Sequence, residues 1–274
     1  MYVAQQEGYF EEENLTVEFI NAPSASQRDQ IIQSGEADGM INELLSTLFY
    51  NRDGQEIVVL RNARVATPEF PQFRILAAAN SGITTPEQLK GKEIGISEAT
   101  IIEYSTDRLL EAEGFTAPDI NTIAVPGIPD RMALLNSGEL PAANLPDPLS
   151  SLAIQSGAVV IVDDSQHPQY GHSAISFDRN FVDEHPEAVR GFLRAIEKAV
   201  AEINKDKDQF SNLLSEQSLV PEPLLESYTV PDFPAASVPP ESQWNDILQW
   251  AQAKGYIEGN LKYGDSVDAS YLPN

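Results

Sequence analysis

Short β-branched runs alternate with helix-forming stretches along this chain, and only a few residues connect one to the next. Leu15 to Ile20 alternates apolar and polar residues, which puts Leu15, Val17 and Phe19 on one face of a predicted strand. The turn Asn21-Ala22-Pro23-Ser24-Ala25-Ser26 ends in residues suited to capping a helix. A short helix carrying Ile31 and Ile32 follows and stops at Gly35, a natural residue for a helix end. Ala37 to Ile41 reads as the next strand. Asn42-Glu43-Leu44-Leu45 then opens a helix with Leu48 and Phe49 on its inner face, and Ile57 to Leu60 reads as a buried strand. This alternation predicts an α/β protein with a largely parallel sheet.

The order then repeats. Ile31-Ile32-Gln33-Ser34-Gly35-Glu36-Ala37 leads through a strand to Asn42, and Leu134-Leu135-Asn136-Ser137-Gly138-Glu139-Leu140 leads through a strand to Asn144. Each copy is an apolar pair, a Ser-Gly-Glu helix stop, a short strand and an asparagine, so two similar α/β lobes are expected. In the second, Leu89-Lys90-Gly91-Lys92-Glu93-Ile94-Gly95-Ile96 reads as a turn and a strand, with Ser97 as the cap of the helix after it. A helix starting there turns free N–H groups and a partial positive charge toward the carboxyl edge of the sheet, where open α/β sheets bind small ligands.

Elsewhere, Tyr2 to Phe10 predicts a short helix closed near Gly8, and Glu11 to Glu13 a solvated acidic turn. Phe73 to Ala79, Val159 to Val162 and Ala174 to Phe177 are extended. Phe181 to Asn204 predicts one amphipathic helix, with Pro186 in its first turn and Val189, Phe192, Leu193, Ile196, Val200 and Ile203 as its apolar stripe. Shorter helices are expected at Phe210 to Leu214 and Leu224 to Tyr228, and an ordered proline-rich loop at Val230 to Pro240. Trp244, Ile247, Leu248 and Ala251 mark a last helix ending at Gly255.

Composition excludes several functions. A net charge of −25 argues against nucleic acid or an anionic membrane as partner. With no cysteine, the chain offers no disulfide, thiolate metal site or cysteine nucleophile. No apolar run approaches the roughly 18 residues of a membrane span. There is no G-x-S-x-G elbow, no Walker loop (Gly91-Lys92 runs into Glu93) and no G-x-G-x-x-G after a strand. His167, His172 and His185 lack zinc-pair spacing and read as surface or hinge histidines. No catalytic residue, metal site or cofactor is therefore expected.

Several segments in order resemble the solute-binding proteins of ABC importers, in the family that includes aliphatic-sulfonate, taurine, nitrate and thiamine-pyrimidine-precursor binders. They are Tyr2-Val3-Ala4-Gln5-Gln6-Glu7-Gly8-Tyr9-Phe10 with Leu15-Thr16-Val17-Glu18, Ser34-Gly35-Glu36-Ala37-Asp38, Leu89 to Ile96, Asp147-Pro148, and Phe181-Val182-Asp183-Glu184-His185-Pro186-Glu187-Ala188-Val189. The resemblance implies the two-lobed type II periplasmic-binding-protein fold, each lobe a mixed, mainly parallel sheet flanked by helices, joined by two crossing strands. With crossings near Arg74 to Ala79 and His172 to Phe177, lobe one is expected to be residues 1–77 with 175–274, and lobe two 78–174. The family's leader and first strand, which precede the segment matched by Tyr2-Val3-Ala4, do not appear in this sequence. An extracytoplasmic place, in the periplasm or lipid-anchored at the cell surface, is the expectation.

The implied mechanism is capture without chemistry: a solute bridging both lobes favours the closed form, which a membrane permease reads, and the binder is a monomer. Strand ends and the helix starts after them would line the cleft. In lobe one these are Ser24, Ala25, Ser26, Asn42, Glu43, Arg61 and Asn62. In lobe two they are Ser97, Glu98, Ala99, Thr100, Ile101, Gly127, Asn144 and Asp147, with Phe73 and Tyr104 as an aromatic wall. Glu43, Glu98 and Asp147 near the mouth would oppose a bare anion, so an uncharged or cationic organic solute is favoured, an anion remaining an alternative. Rival readings are an enzyme on the same fold, pyrimidine-synthase-like or chorismate-dehydratase-like, and a sensory ligand-binding domain.

Overall fold

A computed structural model describes residues 1–22 and 24–273, so Pro23 of the expected turn lies outside the described residues. The strands are β1 (Gly39–Asn42), β2 (Ile57–Val65), β3 (Phe73–Ala77), β4 (Glu93–Ile96), β5 (Asn121–Ala124), β6 (Ala142–Pro146), β7 (Val159–Asp163) and β8 (His172–Asp178). The chain divides into two compact units. The first holds Met1–Arg64, Ser173–Leu219 and Thr229–Asn274; the second holds Val65–His172 and Val220–Tyr228.

In the first unit three strands lie in the order β1-β8-β2, with β1 antiparallel to β8 so that Gly39 faces Phe177 and Asn42 faces Ala174. Val58, Leu60, Ile175 and Phe177 from this sheet meet Val189, Phe192, Leu193, Ile196 and Val200 of the helix Pro186–Lys205. Phe10 stacks on Phe192 at 5.2 Å between ring centres. The predicted stripe is therefore the inner face of that helix, its residues recurring every three or four positions as helical geometry requires.

Five local expectations change here. Leu15 to Ile20 forms no strand among the described residues; Leu15, Val17 and Phe19 pack on the core, because alternation reports one-sided burial and not a ladder partner. The N-terminal helix is two, Tyr2–Gln6 and Tyr9–Glu12, parted by Gly8 at φ 74°. The acidic run after it is not simply solvated: Glu13 pairs with Arg194 at 2.6 Å and Glu12 with Lys198 at 2.5 Å. The single long helix is likewise two, Arg179–Glu184 and Pro186–Lys205. Pro186 carries no N–H and disfavours helical geometry at His185, which takes φ −128° and ψ 48°. Finally, Leu224 to Tyr228 is no helix; a 3-10 turn spans Glu222–Leu224 instead.

The second unit has a mixed five-stranded sheet, β5-β4-β6-β3-β7. β4 runs parallel to β5 and β6, and β3 runs antiparallel to β6 and β7. Leu76, Ala143 and Leu145 pack against Leu135 and Ala153 on one face. The first passage between units falls after Arg64, earlier than the residue 77 that was expected, because β3 is hydrogen-bonded into the second unit on both sides. The second passage falls between His172 and Ser173. An unexpected return, Val220–Tyr228, also belongs to the second unit. Its Tyr228 hydroxyl donates to Asp147 and its Pro223 carbonyl accepts from Gln155 Nε2 at 3.1 Å.

Candidate functional site

Because β4, β5 and β6 are parallel, their carboxyl ends share one edge of the second unit. The chain leaves β4 through Ser97 and Glu98, and Ala99 turns it sharply at φ 52°. The helix Ile101–Ala112 then starts with Thr100 as its cap, not Ser97, since the left-handed residue delays helical geometry by three positions. Thr100 Oγ1 accepts from Ile102 N at 3.2 Å and donates to the Ser97 carbonyl at 2.7 Å. The Glu103 carboxylate accepts from Ala99 N at 2.7 Å. Thr100→Ala is expected to lower stability by about 1 kcal/mol, as cap removal does, read as a shift in the urea midpoint; an unchanged midpoint would deny Thr100 this role.

Ser97 serves a different purpose. Its hydroxyl donates to the Pro126 carbonyl at 3.0 Å and accepts from Arg131 Nη1 at 2.9 Å. Arg131 is wholly buried. Its Nε donates to the Asn144 carbonyl at 2.9 Å and its Nη1 also to the Val125 carbonyl at 2.7 Å, so the guanidinium bridges the residues just after β4 and β5 and the middle of β6. Its Nη2 has no hydrogen-bond partner, and no carboxylate pairs with it among the described residues. Burial pulls its pKa down to about 10, which leaves it charged at neutral pH.

The remaining second-unit candidates divide. Asn144 is fully buried; its Nδ2 contacts the Ile102 carbonyl, Ser105 Oγ and Thr106 Oγ1 at 2.9–3.2 Å, while its Oδ1 has no partner. Gly127 caps the helix Ile128–Ser137, and Glu98 is exposed. Tyr104, Phe73 and Ile101 are core residues; Tyr104 meets Tyr170 edge to face at 6.2 Å. Asp147 is committed internally, accepting from Arg74 Nη1 at 3.1 Å, from Ser151 Oγ at 2.6 Å and from the Tyr228 hydroxyl.

In the first unit most candidates hold the fold together. Ser24 caps the helix Ala25–Gln33, accepting from Gln27 N at 3.2 Å, with Ala25 half-buried and Ser26 exposed in its first turn. Asn42 bonds Thr47 at 3.0 Å and Ser176 at 2.6 Å. Glu43 caps the helix Leu44–Asn51 through Leu45 N at 2.7 Å and Ser46 N at 3.0 Å, and burial raises its pKa. Arg61 is tied to Glu197 on the long helix and donates to the Asn62 and Pro234 carbonyls. Asn62 bonds Ser237 Oγ at 3.1 Å. Together these contacts order the predicted loop at 230–240. His172, expected at the surface or a hinge, lies at a passage between units but is buried, and burial pushes its pKa down to about 3.

Sequence reasoning missed two residues that the internal repeat could have revealed. The register that matches Ile31 with Leu134 also matches Arg28 with Arg131, and both are the fourth residue of their helices. Arg28 Nη2 donates to Ser46 Oγ at 2.9 Å, as Arg131 does to Ser97, yet Arg28 has Asp29 as an ion-pair partner at 2.7 Å.

The fold is that of the periplasmic binding proteins, and comparison with known proteins names the family. Residues 1–209 match the model of the NMT1/THI5-like family, and the chain belongs to it. The alkanesulfonate-binding protein SsuA of Xanthomonas axonopodis pv. citri, bound to MOPS, superposes with a TM-score of 0.80 at 18% identity, over 97% of this chain and 93% of that one. The 4-amino-5-hydroxymethyl-2-methylpyrimidine phosphate synthase of Aspergillus parasiticus is 27% identical over 215 residues, 73% of this chain and 60% of its own length. A Bacillus subtilis protein whose name assigns it to aliphatic sulfonate binding is 27% identical over 144 residues, 52% of this chain and 43% of its own. The chain thus spans less than two thirds of either curated relative.

Proposed function

We propose that this protein is the extracytoplasmic solute-binding component of an ABC importer, capturing a small organic solute by closure of its two lobes and passing it to a membrane permease. The observation that carries the reading is the strand edge of the second unit, where Ser97 accepts from a buried guanidinium and two helices start, at Thr100 and at Gly127. Family membership and the SsuA-like fold support it. Of the three carboxylates behind the expectation of an uncharged or cationic solute, Glu43 is spent on a helix N-terminus and Asp147 on Arg74, which leaves only the exposed Glu98 to oppose an anion. An anionic organic solute of the sulfonate class is the better fit, in keeping with the names of the SsuA and Bacillus relatives.

A thermal-shift panel of taurine, ethanesulfonate, nitrate and a neutral aminopyrimidine tests this. A solute near 100 times its Kd adds about 2.7 kcal/mol, a rise in Tm of roughly 5 °C or more for a chain of this size. No shift with any member would count against the reading. The second reading, an enzyme, is favoured by the synthase relative and by the likeness in fold to the desulfurization enzyme DszB. Mass spectrometry of the bound solute after prolonged incubation separates the two, since a binder returns it unchanged.

A further inference from the structure

Resting on the solute-binding reading, we propose that Arg131 is the residue that sets the charge of the ligand this protein accepts. Arg131 is wholly buried, lacks a carboxylate partner among the described residues, and leaves Nη2 without an acceptor. A guanidinium is seldom buried unless paired, because removing a charge from water is unfavourable without a counter-charge. Three neutral oxygens hold it: the Ser97 hydroxyl and the Val125 carbonyl just past β4 and β5, and the Asn144 carbonyl within β6. They fix its place but leave its charge uncompensated.

Glu98, next to Ser97 in sequence, is exposed, and two carboxylates at the starts of the adjoining helices have other contacts. Glu103 accepts from Ala99 N, and Asp130 folds back against Gly127, where a Cβ would stand 2.4 Å from its Oδ2. The pseudo-equivalent Arg28 isolates the feature further: it occupies the same helix position and reaches a serine in the same way, but it has Asp29 beside it. Two helix N-termini, those of Ile101–Ala112 and Ile128–Ser137, start at this edge and add partial positive charge. An anionic group at Ser97 supplies the missing counter-charge, drawn by a cation that burial leaves poorly screened, with Nη2 as an unused donor. A neutral isostere gains none of this, so the preference between the two reports the role.

The test compares ethanesulfonate with neutral ethanesulfonamide by calorimetry and thermal shift, on the full chain and on Arg131→Lys, Arg131→Met and Ser97→Ala. The wild-type protein is expected to prefer the sulfonate by at least about tenfold. Arg131→Met should abolish that preference, Arg131→Lys should retain part of it, and Ser97→Ala should weaken sulfonate binding severalfold. Should Arg131→Met fail to fold, the Lys and Ala variants carry the comparison. A preference for the sulfonamide, or a sulfonate preference unchanged in the folded variants, overturns the role of Arg131 and leaves solute binding intact. Failure of the wild-type protein to bind either compound, while it binds another solute of the panel, also overturns it. Absence of binding to every solute overturns the solute-binding reading and this role with it.

Discussion

Asp147→Ala is expected to destabilise the protein by about 3–5 kcal/mol, the range for removing one member of a buried ion pair. The Asp147 side chain is 5% exposed and that of Arg74 13%, so the remaining guanidinium would be stranded without its counter-charge. Ser150 Oγ, 2.5 Å from Arg74 Nη1, cannot replace a carboxylate. The Tyr228 hydroxyl would also lose its acceptor, loosening the Val220–Tyr228 segment on the second unit. Tyr228→Phe removes that bond while keeping the Arg74–Asp147 pair and should remove about 1.5–3 kcal/mol, as for a hydrogen bond to a charged group. Urea unfolding at pH 7 measures both. A loss below about 1 kcal/mol for Asp147→Ala would mean that the cluster is solvated and contributes little.

The second large effect is on pH dependence, and the wild-type protein partly conceals it. Asp164 is buried with its oxygens accepting from Gln72 N at 2.8 Å and Phe73 N at 3.2 Å; burial outweighs these bonds and lifts its pKa to about 7. It fits only because Gly171 has no side chain, since a Cβ there would lie 1.8 Å from Oδ2. Between the unfolded value of 3.8 and about 7, the native state holds a proton that the unfolded state has released. Asp164 therefore adds stability as pH falls through that window, by up to about 1.4 kcal/mol per unit.

His172 does the opposite. Its folded pKa of about 3 lies below the unfolded 6.5, so acid protonates the unfolded state first and stability falls as pH drops below 6.5. From about pH 4 to 6.5 the two oppose each other. Asp164→Asn should therefore steepen acid destabilisation relative to wild type, and His172→Gln should flatten or reverse it. Chemical denaturation at pH 4.5, 5.5 and 6.5 reads the slopes; three parallel lines would refute the assignment of either group.

Local pattern carried far in some places and not in others. The stripe from Val189 to Val200 and the buried Trp244 follow from spacing alone, since one helical face has to meet a core. The duplicated segment located two strands, β1 and β6, each ending at or just past its asparagine. Ser97 was misread as a cap because a left-handed Ala99 leaves no mark in composition. The boundary after Arg64 was missed because β3 resembles any buried strand, and only its pairing with β6 and β7 assigns it.

The same limit governs the site. Alternating short strands and helices and a repeated helix stop by themselves specify an α/β chain of two similar halves. Only tertiary structure decided which charged groups remain available. Asp147 finds Arg74 and Tyr228, Arg61 finds Glu197 and Pro234, and Glu43 turns onto its own helix, while Arg131 is left with neutral partners. Periodicity is a property of neighbours, readable along a sequence; charge compensation is settled between residues tens of positions apart, once folding has removed water from between them.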